Sequence, residues 1–340
     1  MTDPSPASLA DIRALVAGLP GPDPAAAAAA AAREPQLTKP PGSLGRLEEL
    51  SAWLAAWQGR HPPRLEAPAA LVFAGNHGVT ARGVSAYPAE VTAQMVANFE
   101  AGGAAVNQLC QAFNASLAVT ALDLDRPTRD FCDGPAMDED DFVAAFNAGL
   151  GQVHGDMDVV CLGEMGIGNT TAAAALCHGL YGGDPADWTG PGTGVAGPQL
   201  VSKAGVVGNA VAGHRDHLDD GLEVLRRLGG RELAAIAGAI VGARARRVPV
   251  LLDGYVCCAA AAALAKGAPG LLDHCQVGHV SAEPGHARLL ERLGKAPLLN
   301  LGMRLGEASG AVLALGILRG AVHCHAGMAT FAEAGVTDKG

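Results

Sequence analysis

Short hydrophobic runs recur along the chain, and several of them end in polar turns that contain glycine. The run Val159–Cys161 is followed by a glycine-rich turn and then by the alanine-rich segment Ala172–Leu176. That order is typical of a buried strand, a tight turn and a helix. Runs of the same kind predict further strands at 69–74, 117–124, 248–252 and 273–281.

Helical patterns fill most of the sequence between these runs. Residues 1–33 are rich in alanine, and Asp23-Pro24 is a typical helix start. Further helices are predicted around Trp53 and Trp57, from Glu90, from the acidic run 138–141, over 233–245 and over 312–318. Strands that alternate with helices predict an α/β protein, and open α/β sheets bind ligands where their strands end.

Length and composition restrict the class of protein. A chain of 340 residues can bury one large core and a smaller subdomain. Of its residues, 49% are hydrophobic but only 4% are aromatic, which suits alanine-rich helices packed closely on a sheet. The net charge of −10 argues against a nucleic-acid partner, and no apolar run reaches the ~20 residues of a membrane span. The eight cysteines form no CxxC pair and the chain start has no signal-peptide pattern, so we expect buried thiols in the cytoplasm.

The glycine-rich turn within 162–171 has the pattern of an anion site. Its glycines let a ligand approach the backbone, and the following helix presents free N–H groups and two threonine hydroxyls to a phosphate. The spacing is close to that of a P-loop, but Asn169 occupies the position of the essential lysine, which argues against nucleoside-triphosphate hydrolysis. Glu164 places a carboxylate in the same turn. An ordinary tight turn without a ligand is the alternative interpretation.

Three other polar segments are ambiguous. The proline- and glycine-rich segment 39–46 is either a connector or a cover over an anionic ligand. His77 follows a predicted strand, where a structural turn residue and a catalyst are both conceivable. The histidines at 323 and 325 lie in a predicted helix, and a metal site there would require further ligands.

Lys203 and Glu307 are placed to act on a substrate. Lys203 follows the flexible loop 189–194 and can add a positive charge to a phosphate. Glu307 lies between glycines just before an apolar helix, where its carboxylate could cap the helix start or act as a base in the site. The sequence alone leaves both roles of Glu307 open.

Six motifs occur in the order known from one enzyme family. They are Lys-Pro-Pro-Gly-Ser-Leu-Gly at 39–45, Gly-Asn-His-Gly-Val at 75–79, Gly-Val-Ser at 83–85, Val-Thr-Ala-Gln-Met at 91–95, Gly-Glu-Met-Gly-Ile-Gly-Asn-Thr-Thr at 163–171 and Met-Arg-Leu-Gly-Glu-Ala-Ser-Gly at 303–310. With these motifs the chain resembles, from about residue 35 to 335, the nicotinate-nucleotide–dimethylbenzimidazole phosphoribosyltransferases, which make the lower-ligand nucleotide of cobalamin.

The resemblance implies the fold and the assembly. It predicts a Rossmann-like α/β fold, with a mostly parallel sheet and helices on both faces, and a smaller helical domain formed from the N- and C-terminal segments. The approximate division assigns 1–60 and 310–340 to the small domain, and 61–309 to the large domain that carries the active site. The resemblance also implies a homodimer. We expect no metal, cofactor, nucleic acid or membrane to take part.

The family's site residues fall on matching positions of this chain. The general base falls on Glu307 and a second pocket carboxylate on Glu164. Phosphate and ribose contacts are implied for Gly166, Gly168, Asn169, Thr170, Lys203 and Ser281, and contacts with an aromatic base for Tyr87, Gln94, Met95, Met165 and Leu305. The chain departs from the family pattern at Ala308, where glycine is usual.

The implied reaction moves phosphoribose from nicotinate mononucleotide to 5,6-dimethylbenzimidazole and yields α-ribazole 5′-phosphate and nicotinate. The attacking ring must lose its N–H proton, and one carboxylate such as Glu307 suffices for that task. Glu164 could supply negative charge near the electron-deficient ribose carbon. Magnesium is not expected because no pyrophosphate departs. The alternatives are the same fold acting on another acceptor base, a diphosphate-dependent phosphoribosyltransferase and a non-catalytic nucleotide-binding protein.

Overall fold

A computed structural model describes residues 5–337. Residues 1–4, on which the signal-peptide expectation depends, and 338–340 lie outside the described residues. The helices are α1 (Leu9–Ala17), α2 (Pro24–Arg33), α3 (Arg46–Gln58), α4 (Glu90–Glu100), α5 (Ala105–Ala112), α6 (Glu139–Gln152), α7 (Asn169–Tyr181), α8 (Pro185–Trp188), α9 (Pro198–Gly213), α10 (Gly221–Leu228), α11 (Arg231–Ala245), α12 (Tyr255–Gly267), α13 (Pro284–Leu293), α14 (Ser309–Gly327) and α15 (Phe331–Ala334). The strands are β1 (Pro68–Ala74), β2 (Ser116–Ala121), β3 (Val159–Met165), β4 (Val250–Leu252), β5 (Cys275–His279) and β6 (Pro297–Leu299).

The six strands form one parallel sheet in the order β2-β1-β3-β4-β5-β6. The predicted α/β class and parallel sheet are therefore confirmed, and five of the six strands overlap hydrophobic runs that predict them. The sixth, β6, escapes prediction because it has three half-buried residues and begins with a proline. The chain crosses from β1 to β2 on one side and to β3 on the other, so the strand order reverses beside β1. Open sheets commonly bind ligands near such a reversal.

Helices cover both faces of the sheet, as predicted. On one face α6, α7, α11 and α12 pack in the larger core, which is rich in alanine and leucine. On the other face α3, α5 and α14 pack against sheet residues such as Val72 and Leu251. The sheet is thus buried on both sides, which explains why its central strands are continuous hydrophobic runs.

Small residues let α6 and α11 pack with their backbones in contact. A side chain at Gly238 would collide with the carbonyl oxygen of Phe146, and one at Gly149 would collide with that of Ala235. Residues 231–243 of α11 are all buried. The composition predicts close packing of helices rich in small residues, and α6 and α11 pack in this way.

The alanine-rich N-terminal stretch forms two helices, and the second begins at Pro24, where Asp23-Pro24 predicts a helix start. Asp23 caps the second, α2, because its side chain accepts from the N–H groups of Ala25 and Ala26. Helix α2 packs on α3 and α3 packs on α14, so segments from both ends of the chain meet, whereas α1 joins the larger core beside α6. The division into two domains stays a prediction. Within residues 5–337, every helix is too short or too polar to cross a membrane.

Candidate active site

A cavity of about 460 Å³ opens at the carboxyl ends of β3, β4, β5 and β6. Its walls are loops that follow these strands, together with helix α4 and the loop at 192–193. The strand ends contribute residues 164–167, 169–170, 254–256, 279, 281, 283 and 304–307 to the wall. The cavity therefore lies where the polar turns after successive strands meet.

The turn before α14 places Glu307 in the cavity wall. Gly306, Glu307 and Ala308 have φ angles of 85°, 64° and 62°, a left-handed conformation that side chains disfavour. Asp253, at the end of β4, holds this turn, because its Oδ1 accepts the N–H of Ala311 at 2.9 Å. The helix is thus capped by Asp253. The cap interpretation of Glu307 is wrong, and its carboxylate is available to a ligand.

Glu307 and Glu164 form a pair of carboxylates. The Glu307 N–H donates to the backbone oxygen of Glu164 at 3.2 Å, and a side chain at Gly306 would collide with the Glu164 carboxylate. Burial raises the pKa of Glu307 to about 7, which suits a general base near neutral pH. Burial, reinforced by the negative charges of Asp253, Glu232 and Glu307, raises the pKa of Glu164 well above its ordinary value.

The glycine-rich turn offers fewer free N–H donors than its sequence predicts. The N–H of Ile167 donates to Thr92 Oγ1 at 3.1 Å, and the N–H of Asn169 donates to the carbonyl of Gly166 at 3.1 Å. The side-chain amide of Asn169 donates to the carboxylate of Glu164. Asn169, which occupies the position of the P-loop lysine, therefore forms a hydrogen bond with the Glu164 carboxylate.

A buried histidine–glutamate pair packs against the glycine-rich turn. His77 Nε2 lies 2.5 Å from Glu232 Oε1, and both side chains are fully buried. Gly166 lines the cavity, and its Cα packs so closely on Gly75 and this pair that a side chain would not fit. Gly168 precedes α7 with a φ of 97° and lies outside the cavity wall, so it shapes the turn without lining the site. For His77 the structural interpretation is favoured.

The remaining predicted phosphate contacts lie in and behind the cavity wall. Thr170 and Ser281 line the cavity, whereas Lys203 lies behind it. Lys203 Nζ donates to Thr170 Oγ1 and to the carbonyl of Gly190, both at 2.9 Å, and burial lowers the pKa of Lys203 to about 8. Ser281 Oγ accepts the N–H of Glu283 at 3.2 Å, which leaves the hydroxyl proton of Ser281 available to a ligand.

The predicted aromatic-base pocket is only partly assembled from the predicted residues. Met95 and Met165 line the cavity, and Tyr87 and Leu305, each 55% exposed, lie at its edge. Gln94 is exposed on α4 and does not line the cavity. The turn of α4 that faces the cavity presents Val91 and Met95, which are one helical turn apart and flank the exposed position.

Four polar residues of the site have no role in the sequence-based prediction. Glu283, Arg304 and His279 line the cavity, and Asp253 lies just behind it. Asp253 directly follows β4, His279 is the last residue of β5 and Glu283 lies four residues after it. This place at strand ends is the one sequence signal that could identify them. Arg304 carries no such signal, because the strand that it follows, β6, is not predicted from the sequence.

Two further ambiguous segments prove to be structural. In the proline- and glycine-rich segment, Lys39 Nζ lies 2.8 Å from a carboxylate oxygen of Glu34 and 2.6 Å from one of Glu48, so the connector interpretation is favoured. His325 Nδ1 lies 2.6 Å from Glu34 Oε2, and its Nε2 lies 3.0 Å from that of His61. Within residues 5–337, histidine, cysteine and carboxylate side chains form no group of three that could hold a metal ion.

Known proteins resemble the chain over nearly its whole length. The family model described as phosphoribosyltransferase matches residues 19–336. Nicotinate-nucleotide–dimethylbenzimidazole phosphoribosyltransferase from Ruegeria sp. (strain TM1040) is 61% identical over 335 residues, which cover 98% of this chain and 99% of that protein. The protein of the same name from Sinorhizobium medicae (strain WSM419) is 60% identical over 97% of each chain. The crystal structure of CobT from Thermus thermophilus superposes with a TM-score of 0.87 and 44% identity, over 93% of this chain and 100% of that one.

Proposed function

Since the chain belongs to the nicotinate-nucleotide–dimethylbenzimidazole phosphoribosyltransferase family, we propose that the cavity is its active site and that Glu307 is its general base. The enzyme transfers phosphoribose from nicotinate mononucleotide to 5,6-dimethylbenzimidazole in cobalamin biosynthesis. The observation that carries the assignment of the base is the Glu307 carboxylate, which is buried in the cavity wall and has its pKa raised to about 7.

The base is required by the acceptor ring. One ring nitrogen of dimethylbenzimidazole attacks the ribose carbon that bears nicotinate, and the ring becomes cationic unless its other nitrogen loses a proton. Glu307 takes that proton, and help of this kind is typically worth 10²–10⁴-fold in rate. The bond to nicotinate breaks as its electron pair neutralises the pyridinium ring, so the leaving group needs no acid. The attack comes from the face opposite to nicotinate and inverts the ribose carbon.

The two ends of the cavity suit the two substrates. Thr170 and Ser281 supply hydroxyl donors to the nucleotide phosphate, and Lys203 adds a positive charge from behind Thr170. Met95 and Met165 supply apolar walls for the aromatic base, with Tyr87 and Leu305 at the edge of the cavity. The rest of the glycine-rich turn, including Gly166, Gly168 and Asn169, shapes the cradle between them.

A homodimer in the cytoplasm completes the proposal. The edge strand β2 leaves Leu117 and Val119 only half-buried, and Tyr87 and Leu305 expose apolar surface at the edge of the cavity, which suits contact with a second copy. The eight cysteines are free thiols, as expected in a reducing compartment. Light scattering of the purified protein at micromolar concentration tests the dimer, and a mass of one chain of 34.2 kDa contradicts it.

The reaction itself is tested with purified protein, nicotinate mononucleotide and dimethylbenzimidazole, in the presence and absence of a chelator. We expect nicotinate release that depends on the acceptor and is unaffected by the chelator. Nucleotide binding without release indicates a non-catalytic binding protein. Activity with phosphoribosyl diphosphate that the chelator abolishes indicates a metal-dependent phosphoribosyltransferase. Release with other bases but not with dimethylbenzimidazole indicates a different acceptor.

A further inference from the structure

Glu283 is a buried carboxylate in the cavity wall that has one unsatisfied oxygen. The residue is 5% exposed, and its Oε1 accepts the N–H of Gly192 at 3.0 Å. Its Oε2 is buried and has no hydrogen-bond partner among residues 5–337. Glycine at 190 gives this oxygen its space, because a side chain there would collide with it. Leaving a buried carboxylate oxygen without a donor is unfavourable, so we expect a ligand to supply one.

Neighbouring groups favour the charged form of Glu283, which is the stronger hydrogen-bond acceptor. Burial raises the pKa of Glu283, while Lys203, the N–H of Gly192 and Arg304 oppose this effect and favour the charged form. Arg304 also donates to the carbonyl of Gly192 at 3.0 Å, so Glu283 and Arg304 bind the N–H and the carbonyl of the same residue. This double attachment fixes the loop wall, and with it the position of the Glu283 carboxylate.

Glu283 lies at the phosphate end of the cavity. The Cα of Gly192, which Glu283 holds, packs against Thr170 Oγ1 and against Lys203 Nζ, the groups assigned to the phosphate. In nicotinate mononucleotide a single carbon separates the phosphate ester oxygen from the ribose ring. A phosphate bound by Thr170 therefore brings the ribose hydroxyls to the vicinity of Glu283.

The substrates offer few hydrogen-bond donors to the carboxylates of the cavity. Dimethylbenzimidazole has one N–H, which Glu307 takes, and the nicotinate ring has none. Glu164 already accepts from the side chain of Asn169. The donors that remain are the two ribose hydroxyls, and carboxylate oxygens are strong acceptors for hydroxyl groups.

We propose that Glu283 accepts a hydrogen bond from a ribose hydroxyl of nicotinate mononucleotide and thereby selects the ribonucleotide over its deoxy analogues. The proposal rests on the function assigned above, because it requires this nucleotide in this cavity. It gives Glu283 a role in binding and specificity that is separate from the base at 307.

The test measures the affinities of three nucleotides by calorimetry in the absence of the acceptor. These are nicotinate mononucleotide and its 2′-deoxy and 3′-deoxy analogues, each titrated into the wild type, Glu283→Ala and Glu283→Gln. Binding is measured instead of rate because removal of the 2′-hydroxyl changes the reactivity of the ribose carbon itself. The wild type is expected to bind at least one deoxy analogue roughly 10- to 100-fold more weakly than the parent, the range for a hydrogen bond to a charged group.

In Glu283→Ala the affinity for the parent nucleotide falls by a similar factor. The affinity for the analogue that lacks the critical hydroxyl does not fall any further. Glu283→Gln keeps an oxygen for the N–H of Gly192 but replaces the charged acceptor by a neutral amide, so it narrows the preference for the parent nucleotide and decides the question if the alanine variant does not fold. Glu291→Gln changes an exposed glutamate of α13, the helix that begins directly after Glu283, and leaves all affinities unchanged. Binding of dimethylbenzimidazole by each variant shows that the cavity is intact.

The proposal is overturned if the wild-type preference for the parent nucleotide persists in both Glu283 variants, or if the wild type shows no preference. Both outcomes leave the proposed function standing as long as the wild type binds nicotinate mononucleotide and releases nicotinate. Failure of the wild type to bind this nucleotide at all overturns the proposed function instead.

Discussion

Replacing Glu307 by glutamine separates its role in catalysis from its effect on stability. Glutamine keeps the shape of the side chain but cannot take a proton. We expect turnover to fall by about 10²–10⁴-fold while both substrates still bind. In the wild type, kcat/KM falls as the pH is lowered through about 7, because Glu307 is then protonated in the free enzyme.

The same substitution is expected to stabilise the protein at high pH. The folded protein raises the pKa of Glu307 from 4.5 to about 7, so it binds the proton more tightly than the unfolded chain does. The stability that Glu307 contributes is present below its unfolded pKa and is lost as the pH rises through its folded pKa. The lost stability amounts to about 3 kcal/mol, because each unit of difference between the folded and unfolded pKa is worth about 1.4 kcal/mol. For a chain of this length, this free-energy difference makes the melting temperature of Glu307→Gln about 5 °C higher than that of the wild type above pH 8.

Two measurements on the same samples test this reasoning. Thermal unfolding of the wild type and Glu307→Gln from pH 4 to 9 is expected to show a difference that is nearly absent at pH 4 and grows as the pH rises to about 7. Nicotinate release at pH 8 is expected to show the loss of turnover. Glu291→Gln, an exposed control, changes neither quantity. Near-wild-type turnover in Glu307→Gln refutes the assignment of the base, and a stability difference independent of pH refutes the argument from burial.

Three further predictions concern binding and packing. Lys203→Met weakens nucleotide binding in calorimetry below pH 8, where the wild-type lysine is charged, and the two affinities converge well above pH 8; equal affinities at pH 6.5 contradict the role of Lys203. Each buried methyl group of the acceptor is worth about 0.8 kcal/mol, so competition assays should favour dimethylbenzimidazole over benzimidazole roughly tenfold in kcat/KM. A preference above about a thousandfold excludes methyl burial as its cause. Gly238→Ala forces α6 and α11 apart and lowers the free energy of unfolding by about 3 kcal/mol. Gly320→Ala, which meets open space on α14, instead raises the free energy of unfolding by up to about 1 kcal/mol, because alanine has the higher helix propensity.

Local sequence patterns predicted the parts of the site that each depend on one chain segment. The hydrophobic run of β3 and the glycines after it located Glu164, because a strand that ends in a polar turn is recognisable from neighbouring residues alone. The apolar helix after Glu307 likewise located the last turn of the site. The place of Lys203 after a loop predicts a phosphate contact, which stays a prediction; in the structure its Nζ donates to Thr170 Oγ1.

Other features depend on segments that are far apart in sequence. The cap of α14 comes from Asp253, more than fifty residues earlier, so the residues next to the helix start do not reveal it. The N–H groups of the glycine-rich turn are partly taken up by Thr92 on another helix. Glu283 could not be identified from sequence, because its significance depends on the loop residue Gly192 that packs against it. Partners of this kind are fixed by the folded chain and carry no local signal.

The charge balance of the cavity explains why carboxylates with raised pKa values suit this reaction. Nicotinate mononucleotide brings a positive charge on its pyridinium nitrogen, and this charge disappears when nicotinate leaves. In the free site, burial and neighbouring carboxylates raise the pKa of Glu164 and so favour its neutral form. A bound pyridinium ring opposes both effects and lowers that pKa. In the reaction proposed above, we expect Glu164 to acquire its charge together with the cationic substrate, next to the carbon that becomes electron-deficient. The added negative charge beside Glu307 is then expected to make Glu307 a stronger base when the acceptor N–H arrives.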